Sequence, residues 1–212
     1  MMNILVVATH LDDEVIGCGG AILKHINDGD NVYVCFLCGG TSVKYPNIDL
    51  VETRRNHGRT VADFLGIKEI YLYDFPIIML DTIPQLEIVS ALEKVIFEVK
   101  PQVIYTHYSD DINSDHRVVH DATVVWCRPS KTPFLKKVLF YEVFGSNRNF
   151  NPNYFVNIDK YIDRKLEALS LYTTENNVQT RTTDTIRKVA QYRGAEINSN
   201  YAEGFIVYRD IN

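Results

Sequence analysis

Short apolar runs alternate with longer helix-like stretches from the first residues to about residue 142, and this alternation constrains the fold more than any other feature. The strand candidates are residues 3–8, 32–37, 69–73, 103–106 and 138–142, rich in β-branched and aromatic side chains. Several are apolar almost throughout, as strands buried on both faces are. Between them, residues 14–27, 50–65, 84–99 and 116–127 have helical character. Leu86, Val89, Leu92, Ile96 and Val99 recur at three-to-four spacing, Pro84 suits a first helical turn, and Pro101 follows the helix end. Such a chain forms an α/β fold, a Rossmann-like, mostly parallel sheet with helices on both faces. The tail differs: a strand at 154–158, helices at 161–172 and 184–195, and a strand at 204–209 predict a smaller C-terminal α+β extension. Residues 145–152 are turn-rich but too short to mark a boundary, so one domain is expected over 1–212.

The strand ends carry the chemistry. His10, Asp12, Asp13 and Glu14 crowd one imidazole and three carboxylates directly after the first strand. Buried together they would repel and lose hydration, a cost that a bound cation removes. Imidazole with carboxylate is a normal zinc ligand mix. Alternatively, the three acids could simply cap the helix and complement its dipole. A second cluster, His107 to His116, follows the fourth strand. Ligands of open α/β sheets bind outside the carboxyl ends of strands, where the strand order reverses. If the first and fourth strands are neighbours there, the two clusters face each other. His116 and His120, four apart, offer a competing paired site. His107 could orient a ligand or be a buried hydrogen-bonding residue.

Other motifs are weaker. Asp111, Asn113 and Asp115 begin like a calcium loop, but His116 replaces its glycine and Ala122 its last glutamate. Gly17-Cys18-Gly19-Gly20 is no dinucleotide fingerprint and suits close helix packing. Cys35 and Cys38 have CxxC spacing, but on one strand they would point to opposite faces, which suits packed thiols. The net charge of −5 argues against nucleic acid as a partner. No leader-like start or membrane-length apolar run is evident, so a cytoplasmic protein without membrane attachment is expected.

The segment from Ala8 to Glu14, Ala-Thr-His-Leu-Asp-Asp-Glu, resembles the A/P-H-P-D-D-E signature of the PIG-L, or LmbE-like, family of zinc N-deacetylases. Asn113-Ser114-Asp115-His116-Arg117 resembles that family's H-x-D-H-R. Arg54, Leu65-Gly66 and Ala202-Glu203-Gly204-Phe205 match further recurring positions. The resemblance implies one Zn2+ per chain held by His10, Asp13 and His116, with Asp12 as general base and Asp115 as a carboxylate orienting the site. It also implies an N-acylated amino sugar or glycoside as substrate. Three protein ligands would leave a position for water, whose proton Asp12 would take and later return to the leaving amine.

Leu11 replaces a proline and His57 a common glutamate. Asn113 stands where many relatives have histidine; it can donate a hydrogen bond to an oxyanion but cannot deliver a proton. A subset acting on aminoglycoside or glycopeptide precursors also has Asn there, within a pattern that His107-Tyr108-Ser109 begins. Those relatives often carry His-Pro-Arg later, and Gln179-Thr180-Arg181 lacks the histidine. Arg54 and Tyr108 are candidate substrate-binding residues. The residues do not separate deacetylation from deformylation. A binding protein on a catalytically dead scaffold is the alternative from another class.

Overall fold

The computed structural model describes residues 1–41, 46–174 and 179–211. Strands β1 (Asn3–Ala8), β2 (Asn31–Phe36), β3 (Glu69–Leu72), β4 (Val103–His107), β5 (Lys137–Tyr141), β6 (Tyr154–Asn157) and β7 (Ala202–Asp210) form one seven-stranded sheet in the order β3-β2-β1-β4-β5-β7-β6. The first five pair in parallel; β7 runs antiparallel to both β5 and β6. The C-terminal α+β extension joins the same sheet. Its last strand returns between β5 and the preceding strand and continues the same sheet.

The helices are α1 (Asp13–Asn27), α2 (Ile48–Leu65), α3 (Gln85–Val99), α4 (Ser114–Trp126), α5 (Ile162–Ser170) and α6 (Thr183–Ala195). Alternation along the central strand divides the core. Ile4, Val6 and Ala8 face a layer with residues of α1, α2, α5 and α6, while Leu5 and Val7 face residues of α3 and α4. Local signals set the helix ends. The Asn47 side chain accepts the Asp49 N–H at the start of α2, and Gly66, at φ 88°, ends it in the left-handed region that glycine favours.

The chain leaves β1 for β2 and β3 on one side, then crosses to β4 on the other. β1 and β4 are therefore parallel neighbours at the reversal point, with Ile4, Leu5 and Val6 against Val103, Ile104 and Tyr105. Their carboxyl-end loops carry the two charged clusters.

Candidate active site

The sheet brings His10, Asp13 and His116 together from positions 106 apart in the chain. His10 sits on the loop after β1, Asp13 opens α1, and His116 lies in the first turn of α4. His10 Nδ1 is 3.3 Å from Asp13 Oδ2, His116 Nε2 is 3.4 Å from the same oxygen, and the two nitrogens are 3.3 Å apart. Tetrahedral zinc with bonds of roughly 2.0–2.2 Å holds such ligand atoms roughly 3.3–3.6 Å apart, so the triangle has the dimensions of one face of a zinc site. Asp13 is fully buried, and its Oδ1 has no hydrogen-bond partner among the described residues. A buried carboxylate left partly unsatisfied is costly unless a cation completes it. The residues present fit a divalent metal.

Each imidazole has a carboxylate at its outer nitrogen. His116 Nδ1 lies 2.9 Å from Asp111 Oδ2, which also accepts the Ser146 hydroxyl at 2.8 Å and the Asn147 amide at 3.3 Å. His10 Nε2 lies 3.3 Å from Asp115 Oδ2. Each carboxylate takes one ring N–H and turns the other nitrogen's lone pair toward the triangle, the usual outer arrangement of metal-ligating histidine. Asp115 also accepts the backbone N–H groups of Ile78 and Leu80, fixing a loop that lines the cleft. Ile78 is held at φ 60°, unfavourable for a β-branched residue.

The electrostatics show a site seeking positive charge. Burial alone would lower the His116 pKa, but the Asp13 charge and the bond to Asp111 outweigh it and raise the group to about 9. His10 is raised against its own burial by Asp115 and Asp13. Asp13 is held well below the carboxylate range, the His116 charge overcoming desolvation. Both imidazoles and Asp13 are thus shifted toward their charged forms by one another and by the outer carboxylates.

His107 and His120 are spent elsewhere. His107 Nε2 is 3.0 Å from both the Thr9 N–H and the Tyr141 hydroxyl, and burial depresses its pKa well below the usual histidine value. Its ring stacks on His116 at 4.1 Å. Gly17 permits this support: a Cβ there would come within 2.3 Å of the Tyr141 ring. His120 bonds the His107 carbonyl at 2.7 Å and packs on Phe140, so it does not join His116 in a paired site. The calcium resemblance dissolves as well. Asp111 Oδ1 and Asn113 Oδ1 accept the Asn113 and Asp115 N–H groups, shaping the turn into α4.

Beside the triangle opens a cleft lined by His10, Leu11, Cys38, Arg54, Ile77, Ile78, Asn113 and Arg181. Asp12 is fully buried next to it, at φ 126° and ψ −25°, a conformation L-residues rarely adopt. Its N–H meets Glu14 Oε2 at 3.1 Å, and its Oδ2 takes the Arg181 guanidinium at 2.7 Å. The Tyr172 hydroxyl holds the other Glu14 oxygen at 2.6 Å.

Arg54 and Asn113 therefore reach the cleft. Tyr108 does not: it packs edge-on against Phe150 and is not among the lining residues. Three contributors escaped the sequence reading. Asp111 was visible only as part of the calcium-like pattern. Arg181 lies 169 positions from Asp12, and its one signal was its place in the segment where relatives carry His-Pro-Arg. Cys38 lies past the end of β2, in an isolated bridge with Asp74, and Cys35 and Cys38 share one core layer instead of pointing to opposite faces.

The chain belongs to the PIG-L family of deacetylases, hydrolases acting on amides: the family model described as GlcNAc-PI de-N-acetylase matches residues 5–127. Among curated relatives, the uncharacterized deacetylase YaiS of Escherichia coli is 27% identical over 176 residues, covering 79% of this chain and 88% of that protein. Diacetylchitobiose deacetylase of Thermococcus kodakarensis is 24% identical, covering 95% of this chain and 81% of that one. Among solved structures, the N,N'-diacetylchitobiose deacetylase of Pyrococcus horikoshii shares the fold with a TM-score of 0.81 at 22% identity, covering 98% of this chain and 84% of that chain.

Proposed function

We propose that the chain is a zinc-dependent N-deacetylase that removes the acetyl group of a small amino sugar or glycoside. The observation that carries this reading is the His10–Asp13–His116 triangle, with zinc-like separations and an unsatisfied buried carboxylate oxygen, opening on a cleft. The named activities of the two diacetylchitobiose deacetylases support an amino-sugar substrate. No helix among the described residues is long and apolar enough to cross a membrane.

His10, Asp13 and His116 would hold a zinc ion, which would supply a Lewis acid and lower the pKa of water from 15.7 toward about 7. The protein's own groups do the rest. Asp12, oriented by Arg181 and by its Glu14-bound backbone, takes the proton of the attacking water and returns it to the departing amine. Asn113 spends its Oδ1 on the Asp115 N–H, which fixes the amide plane and leaves Nδ2 to donate to the developing oxyanion. Asp111 and Asp115 keep the two imidazoles in register. Arg54, on the cleft wall, binds sugar hydroxyls.

The test is acetate release from N-acetylated mono- and disaccharides by wild type and Asp12→Asn. The variant is expected to keep stoichiometric zinc and lose kcat by roughly 10²–10⁴-fold. Substantial turnover in it would remove Asp12 as the base. A wild-type chain that binds zinc and releases no acetate from any sugar would remove the substrate class.

A further inference from the structure

The two nitrogens of His10 face two different groups of ligand atoms. Nδ1 belongs to the triangle described above. Nε2 faces Asp115 Oδ2 at 3.3 Å, and Cys38 Sγ lies 3.9 Å from that same oxygen. His10, Cys38 and Asp115 present ligand atoms all within 4.8 Å of one another. We infer that they form a second cation site, selective for thiophilic divalent ions such as Cd2+ or zinc in excess, and that its occupation inhibits the enzyme. The inference rests on the proposed reading insofar as His10 is also a ligand of the catalytic metal.

The separations support it. Zinc bonds of roughly 2.0–2.2 Å to nitrogen or oxygen and roughly 2.3 Å to sulfur place tetrahedral N···O pairs about 3.3–3.6 Å apart and S···O pairs about 3.5–3.7 Å apart. The first edge is already met. The second is wider by a few tenths of an ångström, which a larger ion accommodates without moving the chain. Cys38 is buried, yet it lines the cleft together with His10, so an ion arriving from solvent reaches both. Thiolate is a soft ligand and sets the preference for zinc-group ions over magnesium or calcium.

The exchange balances simply. The Nε2 proton shared between His10 and Asp115 leaves, the Cys38 thiol proton leaves, and both pass to solvent as nitrogen–metal and sulfur–metal bonds form. Asp115 keeps the Ile78 and Leu80 N–H groups on its oxygens. The ion therefore takes the place of a hydrogen-bonded proton in a site already built to hold one. It inhibits in two ways: it draws electron density from the Nδ1 side of the ring, and it seats a charge on the wall of the substrate cleft.

The experiment titrates metal-free protein with Cd2+, following ultraviolet thiolate-to-metal charge transfer and counting bound metal by mass spectrometry. Wild type is expected to bind two ions per chain, with the charge-transfer band growing with the second. Cys38→Ser, and Cys38→Ala as a second variant, should bind one and lack the band, with native melting curves showing that they fold. No band in wild type, or an undiminished band in folded Cys38 variants, overturns the inference. His116→Ala separates the two readings. A single ion carrying the band supports both, whereas two ions with the band break the catalytic ligand set and leave the Cys38 site standing. With zinc, the concentration that halves each protein's own uninhibited rate should rise at least tenfold in Cys38→Ser. An unchanged midpoint overturns the inhibitory role.

Discussion

Helix α1 carries two buried charged clusters, one at its first residue and one in its middle, and they are finished differently. In the middle, the Glu203 carboxylate accepts the Gly20 and Ala21 N–H groups at 2.7 and 2.8 Å and the Lys165 ammonium at 2.6 Å. Lys165 also donates to the Ile16 carbonyl at 2.9 Å. Both carboxylate oxygens have partners. At the helix start, Asp13 Oδ1 is buried without a hydrogen bond among the described residues. Equal burial thus separates into two uses. A cluster that satisfies itself fixes the fold; one that stays incomplete is shaped for something the chain does not supply.

The comparison can be broken in four places. The largest effect is expected for His116→Ala, which should lose stoichiometric zinc by mass spectrometry and all acetate release; retained zinc would point to another ligand set. Next, Lys165→Met leaves Glu203 unpaired and should destabilise the chain by about 3–5 kcal/mol in chemical denaturation, without changing zinc stoichiometry in the folded protein. If zinc is lost while the fold is intact, the two clusters are not independent. Asn113→Ala should lower kcat by roughly 10²–10³-fold, the effect of removing one oxyanion donor, with metal retained. A normal kcat would send the search to Arg181.

The smallest effect concerns pH. Burial raises Glu14 from its ordinary 4.5 to about 8, outweighing the Tyr172 hydrogen bond. The folded metal-free protein therefore binds this proton more tightly than the unfolded chain. The resulting stability is fully present below about pH 4.5 and is lost as pH rises through about 8. Melting temperature should fall across that window, and Glu14→Gln should flatten the fall. An identical slope in the variant would assign the dependence to other groups.

Much of this was legible in the chain. Strand–helix alternation implied the parallel sheet, and two acid–imidazole clusters at strand ends implied a site wherever those strands were neighbours. What stayed hidden depends on contacts between distant segments. That β7 inserts between β5 and β6 is a choice of pairing partner, which local pattern does not encode. Arg181 meets Asp12 from 169 positions away in the chain, a pairing that local pattern does not encode. Tyr108 follows His107 in the chain and packs edge-on against Phe150, a contact that its place in the sequence does not show. Cys38 lies two residues beyond the end of β2, so strand alternation does not set its side.

Under the proposed zinc reading, Asp115 would join metal retention to substrate range. One carboxylate steadies the His10 ring and clamps the Ile78 and Leu80 amides of the cleft rim. A change in the length or path of that rim would loosen a ligand as well as reshape the opening. Relatives that diverge in substrate should therefore vary the side chains at positions 77 and 78 while keeping the backbone between them and Leu80 in place. Selection for new substrates acts here on a surface whose framework is pinned from beneath.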